Sequence, residues 1–71
     1  MEELTEPQAK CLAAIVELTG LYGYPPSVRD LGVHLGKTPQ TIHALLGHLK
    51  EKGYIRSTPN VARSIVVVDN A

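Results

Sequence analysis

The stretch TPQTIHALLGHLKEKGYI, residues 38–55, decides the fold. Thr38 is a hydroxyl N-cap, and Pro39 takes the first helical position, where a missing N–H does no harm. Ile42, Leu45, Leu46 and Leu49 recur at i, i+3, i+4 and i+7, which is one apolar face of a helix. Lys50 and Lys52 suit the negative end of the macrodipole, and Gly53 is the stop. The spacing predicts a helix over about 39–52.

Upstream, Gly36 and Lys37 leave room for only a tight turn. Ser27 caps a short helix over about 28–35, with Asp30 in its first turn and Val28, Leu31 and Leu35 facing inward. A helix, a turn around Gly36 and a second helix make the spacing of a helix-turn-helix. The breaker YGYPPS separates this pair from an earlier helix over about 6–20. There Thr5 and Gln8 have capping-box spacing, Leu4 and Ala9 stand at the staple positions, and Leu12, Ile15, Val16 and Thr19 form the expected inner stripe. Beyond Gly53 the period changes. YIRS and RSIVVV are β-branched or aromatic-rich runs around TPNVA, whose Pro59 and Asn60 favour a turn. They predict a hairpin with strands at about 54–57 and 63–68, with Ile55, Ile65 and Val67 inward and Arg56 and Arg63 flanking the loop. Three helices followed by a two-stranded antiparallel hairpin is an α+β fold, the winged form of helix-turn-helix. It is expected as a single domain over residues 1–71, with its core at about 4–68.

Length and composition narrow the function. A chain of 71 residues has no room for a two-domain enzyme cleft. Cys11 is the lone cysteine, so no internal disulfide forms and a reducing, cytoplasmic setting fits. The longest apolar run, CLAAIV, is far short of the ~18 residues of a membrane span, and the acidic start is wrong for a signal peptide. Formal net charge is zero, but it is divided. Residues 1–30 carry two cations against five anions, and residues 31–71 five cations against two, together with all three histidines. Cys11, His34, His43 and His48 lack a zinc-ligand spacing, and no Gly-rich phosphate loop is present. The chain reads as a non-enzyme with no cofactor, no metal and no small-molecule substrate.

The outer face of the 39–52 helix carries the functional signal. Gln40, Ala44, Gly47 and Glu51 lie opposite Ile42, with Thr41, His43 and His48 on the flanks. A soluble helix normally puts Lys or Glu on such a face, and a mid-helix glycine costs roughly 1 kcal/mol against alanine. A slim, weakly charged face suits insertion into a DNA major groove about 12 Å wide, close to the width of a helix with its side chains. Gln40 can pair with adenine, Thr41 can meet a base or a thymine methyl, and His43 and His48 can donate to guanine N7 or phosphate. Thr38 and the free N–H groups behind it suit a phosphate, and Arg29, Lys37, Arg56 and Arg63 are phosphate or minor-groove candidates. Plainer readings stand beside these. Thr38 is first a cap, the histidines can be solvated, Gly47 can relieve crowding against another helix, and Arg56 and Arg63 can pair across the hairpin.

LTEPQAKCLAAIVE, GYPPSVRDLG and TIHALLGHLKEKGYIR together resemble the N-terminal DNA-binding domain of the LexA family of SOS-response repressors, from about Leu4 to Val68. GYPPSVRDLG and KGYIR are the most specific parts. The resemblance implies a winged helix whose third helix enters the major groove, with the wing at the backbone or minor groove. It places Thr38, Gln40, Thr41, His43, Ala44 and Gly47 in the base-reading segment and Arg29 in support of phosphate binding. The expected partner is double-stranded DNA, a palindromic operator bound by two copies or through a dimerising partner, in a bacterial or phage setting. The family's second domain, with its Ser–Lys self-cleavage dyad, is not within these residues. The competing reading is a winged helix used for protein contact, as an anti-repressor or a partner of a larger regulator; zero net charge and a poorly basic wing favour it.

Overall fold

The computed structural model describes residues 3–58, 61 and 63–68. Its elements are α1 (Glu6–Tyr22), α2 (Val28–Leu35), α3 (Pro39–Glu51), β1 (Ile55–Arg56) and β2 (Val66–Val67). The two strands pair antiparallel, Ile55 opposite Val67 and Arg56 opposite Val66. This is the winged helix order expected from the sequence.

Each helix starts where its cap residue stands. At α1, Gln8 N–H donates to Thr5 Oγ1 and Thr5 N–H donates to Gln8 Oε1, a complete capping box. Ser27 and Asp30 form the same reciprocal pair at α2, both bonds 3.0 Å long. At α3, Thr38 Oγ1 accepts from Thr41 N–H at 3.2 Å. All three stops are glycines in the left-handed region, where a side chain would be strained: Gly23, Gly36 and Gly53, with φ of 79°, 67° and 83°. α1 therefore runs two residues beyond the expected 20, because the glycine that adopts positive φ is Gly23 and not Gly20. The added turn buries little, leaving Leu21 75% exposed.

The core is one cluster of Cys11, Ala14, Ile15, Leu18, Leu31, Ile42, Leu49, Ile55 and Ile65, drawn from all three helices and both arms of the hairpin. Leu45, Leu46, Val28 and Val67 pack against it from the edge. Burial of each large side chain contributes roughly 1.5–3 kcal/mol, so few positions carry most of the stability. The inner stripe of α1 corrects the expectation. It is Gln8, Cys11, Ala14, Ile15 and Leu18, whereas Val16 is 55% exposed and Leu12 and Thr19 are only half-buried. The stripe opens on a polar residue, which hid its register. Gln8 is tolerated inside because Lys52 Nζ donates to its Oε1 at 2.7 Å while also donating to Glu3 O at 3.0 Å. Lys52, expected as an end-of-helix charge, thus ties the end of α3 to the start of α1. Leu4 packs on the core as a staple residue would, but Ala9 is exposed.

The hairpin is shorter than expected. Its ladder holds two residue pairs, extended by Val68 N–H donating to Tyr54 O at 2.8 Å. Above it the backbone leaves the strand conformation: Arg63 has φ of 56°, and Ser64 Oγ accepts from Thr58 N–H at 2.9 Å and faces Thr58 O and Val61 O within donating distance. A hydroxyl thus closes the loop where a longer ladder was expected. Pro59 and Asn60, assigned the turn, lie outside the described residues, as do Ala62 and the 69–71 tail. Among the described residues, no helix is long and apolar enough to cross a membrane.

Candidate nucleic-acid interface

The turn between α2 and α3 is set by one close approach. Lys37 N–H donates to Gly32 O at 2.9 Å, and a Cβ built on Gly32 would stand 2.9 Å from Lys37 O. Only glycine lets the turn fold back so tightly. Leu31 and Ile42, both fully buried, then pack α2 and α3 into the shared core. This fixes which face of α3 looks outward. Gln40, Thr41, His43, Ala44, Gly47, His48 and Glu51 are all exposed. Nothing lies within 4 Å of a Cβ built on Gly47, so relief of crowding against another helix does not account for this glycine.

The flanking candidates fall into three depressions. A groove of about 490 Å³ runs between the start of α2, α3 and the wing, and brings together Arg29, His43 and Arg63 with the hydroxyls of Ser27, Ser57, Thr58 and Ser64. A second, shallower one joins Lys50 and Arg56 where α3 meets β1. Lys37 stands apart from both, beside Glu6, Pro7 and Lys10 at the start of α1. Thr38 and Thr41 face each other with their hydroxyls 3.0 Å apart, so each already has a partner within the cap. Sequence reasoning did not single out Ser57 and Thr58, which follow Arg56 as plain hydroxyls with no periodic signal, nor the grouping of Lys50 with Arg56.

Arg63 does not pair across the hairpin. Its Nη1 donates to Asp30 Oδ2 at 2.8 Å and approaches Pro25 O at 3.4 Å. Its guanidinium lies 4.9 Å from the centre of the Tyr24 ring, which stacks on Tyr22 at 5.4 Å. Asp30 is held below the usual carboxylate range, first by the Ser27 backbone N–H and then, against some desolvation, by the Ser27 hydroxyl and Arg63. Burial pushes the Cys11 thiol upward. Among the described residues, no group of three or more His, Cys, Asp or Glu side chains is placed to hold a metal ion.

A helix-turn-helix with a bare outer face, followed by a wing, has a close match among known families. The model of the LexA DNA binding domain covers residues 1–64. This chain belongs to that family. It is 48% identical over 69 residues to the LexA repressor of Desulfatibacillum aliphaticivorans, covering 96% of this chain and 34% of the relative. It is 44% identical over 70 residues to the LexA repressor of Pelotomaculum thermopropionicum, covering 97% and 34%. It is 41% identical over 71 residues to the LexA repressor of Staphylococcus aureus, covering 99% and 34%. The chain thus spans about a third of the length of the curated relatives it matches. The LexA-domain match extends through the helix-turn-helix, β1 and Arg63.

Proposed function

We propose that this LexA-type domain binds double-stranded DNA sequence-specifically and so regulates transcription, with α3 in the major groove and the wing at the backbone or minor groove. The observation that carries the reading is the outer face of α3, where Gln40, Thr41 and Ala44 are exposed and uncharged and Gly47 has open space about it. In this reading Gln40, Thr41 and His43 address base edges, and Ala44 and Gly47 let the backbone come close. Thr41, whose hydroxyl is engaged with Thr38, offers its methyl group to thymine. Arg29, Lys37, Thr38, His48 and Arg56 take phosphates, and Lys50 joins Arg56 in doing so. Arg63 serves the wing. Residues 4–68 form the folding unit. One small domain makes few phosphate contacts, so tight binding needs a palindromic operator with two copies or a dimerising partner, in the cytoplasm of a bacterium. The role calls for no cofactor and no catalytic group.

Titration with duplex DNA at two salt concentrations, followed by amide mapping, tests this. Affinity falls steeply with salt, and shifts centre on residues 38–48. Gln40→Ala changes base preference, whereas Arg29→Ala weakens binding to all sequences about equally. Shifts confined to α1, or no binding at low salt, refute the reading and favour an α3 face used for protein contact.

A further inference from the structure

The wing has little ladder of its own to hold its loop in position. Its ladder has two residue pairs, and an isolated two-stranded hairpin is at best marginally stable in water. Ile55 and Ile65 root its base in the core, but the loop above them is exposed at Thr58, Val61 and Arg63. Among the described residues, the loop's hydrogen-bonded link to the helical body is Arg63. Arg63 crosses 33 residues of sequence to Asp30 and lies over Tyr24. It does so from a left-handed backbone conformation, with φ of 56°, the only non-glycine positive φ among the described residues. Such a conformation is unfavourable for a residue with a Cβ and persists where its surroundings hold it. Asp30 in turn is fixed by the Ser27 N–H, so the contact ends on the capped first turn of α2 and not on a mobile side chain.

From this geometry we infer that Arg63 and Asp30 form a latch that sets the angle of the wing against the helix-turn-helix, and that Arg63 acts on DNA binding by positioning the wing and not by contacting phosphate. The latch closes one side of the groove shared by Arg29, His43, Ser57 and Thr58, and so fixes its width. The consequence for Asp30 is counter-intuitive. A carboxylate beside a DNA-binding groove repels phosphate, so removing its charge should strengthen binding if nothing else changes. A latch predicts the reverse.

The affinity arm of the test rests on the DNA-binding reading above; the spectroscopic arm does not. Ser27 N–H and Arg63 Nη1 donate to the same Asp30 oxygen, so Asp30→Asn keeps the cap and weakens the latch from an ion pair to a hydrogen bond with a neutral acceptor. Arg63→Asn suits the left-handed backbone and removes the guanidinium. Arg63→Asn should bind duplex DNA roughly three- to tenfold more weakly than the unaltered chain, Asp30→Asn more weakly by a smaller factor, and the double variant no more weakly than Arg63→Asn, because the same contact is weakened in one and removed in the others. Amide signals of residues 57–64 should move in each single variant without DNA, while those of 42–49 stay in place. Asp30→Asn binding as tightly as the unaltered chain or more tightly, or single losses that multiply, would overturn the latch. Should the unaltered chain bind no duplex, the DNA reading fails by itself, and the latch is then judged by the wing signals alone: unmoved signals in Asp30→Asn refute it, and moved signals uphold it. Circular dichroism checks that each variant is folded. If Asp30→Asn is not, Arg63→Asn, which leaves the cap untouched, supplies the wing signals, and their failure to move refutes the latch.

Discussion

Gly47 separates stability from binding more sharply than any other position. Glycine in a helix interior is roughly 1 kcal/mol less favourable than alanine, from its greater backbone freedom in the unfolded chain. A native glycine can offset that cost by close packing, but here a built Cβ meets nothing within 4 Å. Gly47→Ala should therefore stabilise the domain by about 1 kcal/mol, a rise of roughly 4–8 °C in Tm for a chain of this size. Gly47→Leu should stabilise it by nearly as much, since leucine has a similar helix propensity. If the face enters a groove, both gains come with weaker DNA binding, ordered by side-chain size. The leucine variant should lose roughly tenfold or more in affinity, about 1.4 kcal/mol. Thermal melts and duplex titrations on the same samples give both quantities. A leucine variant that is more stable and binds as tightly as the unaltered chain would refute close approach at this position. An alanine variant that is less stable would show that Gly47 is packed.

The same substitution at Gly32 should have the opposite sign: Gly32→Ala drives a methyl against Lys37 O at 2.9 Å, both atoms belonging to a tight turn, and should destabilise by about 1–3 kcal/mol on thermal melting. Cys11 is fully buried, so a thiol reagent should modify it only as fast as the core opens, and Leu49→Ala, which removes about 2–5 kcal/mol of packing, should accelerate labelling steeply. Asp30 has a folded-state pKa below its unfolded value, so its contribution is complete above the unfolded pKa and is lost as pH falls through the folded one. Acid titration below about pH 4 should therefore loosen the wing signals of 57–64, and Asp30→Asn should remove that step.

The helices were legible because their signals are local. A cap residue, an apolar period and a glycine stop lie within a few positions of one another, and at α2 and α3 they predict the bounds to within a residue. α1 misled for a physical reason: it has apolar residues on two sides, and its buried stripe begins with Gln8, whose burial depends on Lys52, 44 residues away. The wing misled in the same way. β-branched runs promise long strands, but Ser64 closes the loop and Arg63 turns toward Asp30, and neither contact has a periodic trace. At the interface, the exposed face of α3 followed from the helical wheel, whereas the groove joining Arg29 to His43, Ser57 and Thr58 required the tertiary packing of three separate segments.

Zero net charge was the feature that spoke most for a protein partner, and the pairing of the charges weakens it. Glu6 lies 3.4 Å from Lys10, and Glu17 lies 3.5 Å from His34, so these acids have partners on the helical body. Asp30 faces Arg63 at the edge of the wing groove. Arg29, Lys50 and Arg56 line the two depressions beside the wing, and none of the ion pairs among the described residues engages them. The molecule measures 27 × 23 × 23 Å, about three times a Debye length of about 8 Å at physiological ionic strength. Over that distance an acid on one face does little to cancel a cation on another. What an approaching phosphate meets is the local field of the face it touches, so a neutral total is compatible with a cationic groove. This makes a specific demand on experiment. Reversing Glu17 to Lys, which raises net charge by two without entering either depression, should change duplex affinity far less than Arg56→Gln, which lowers it by one.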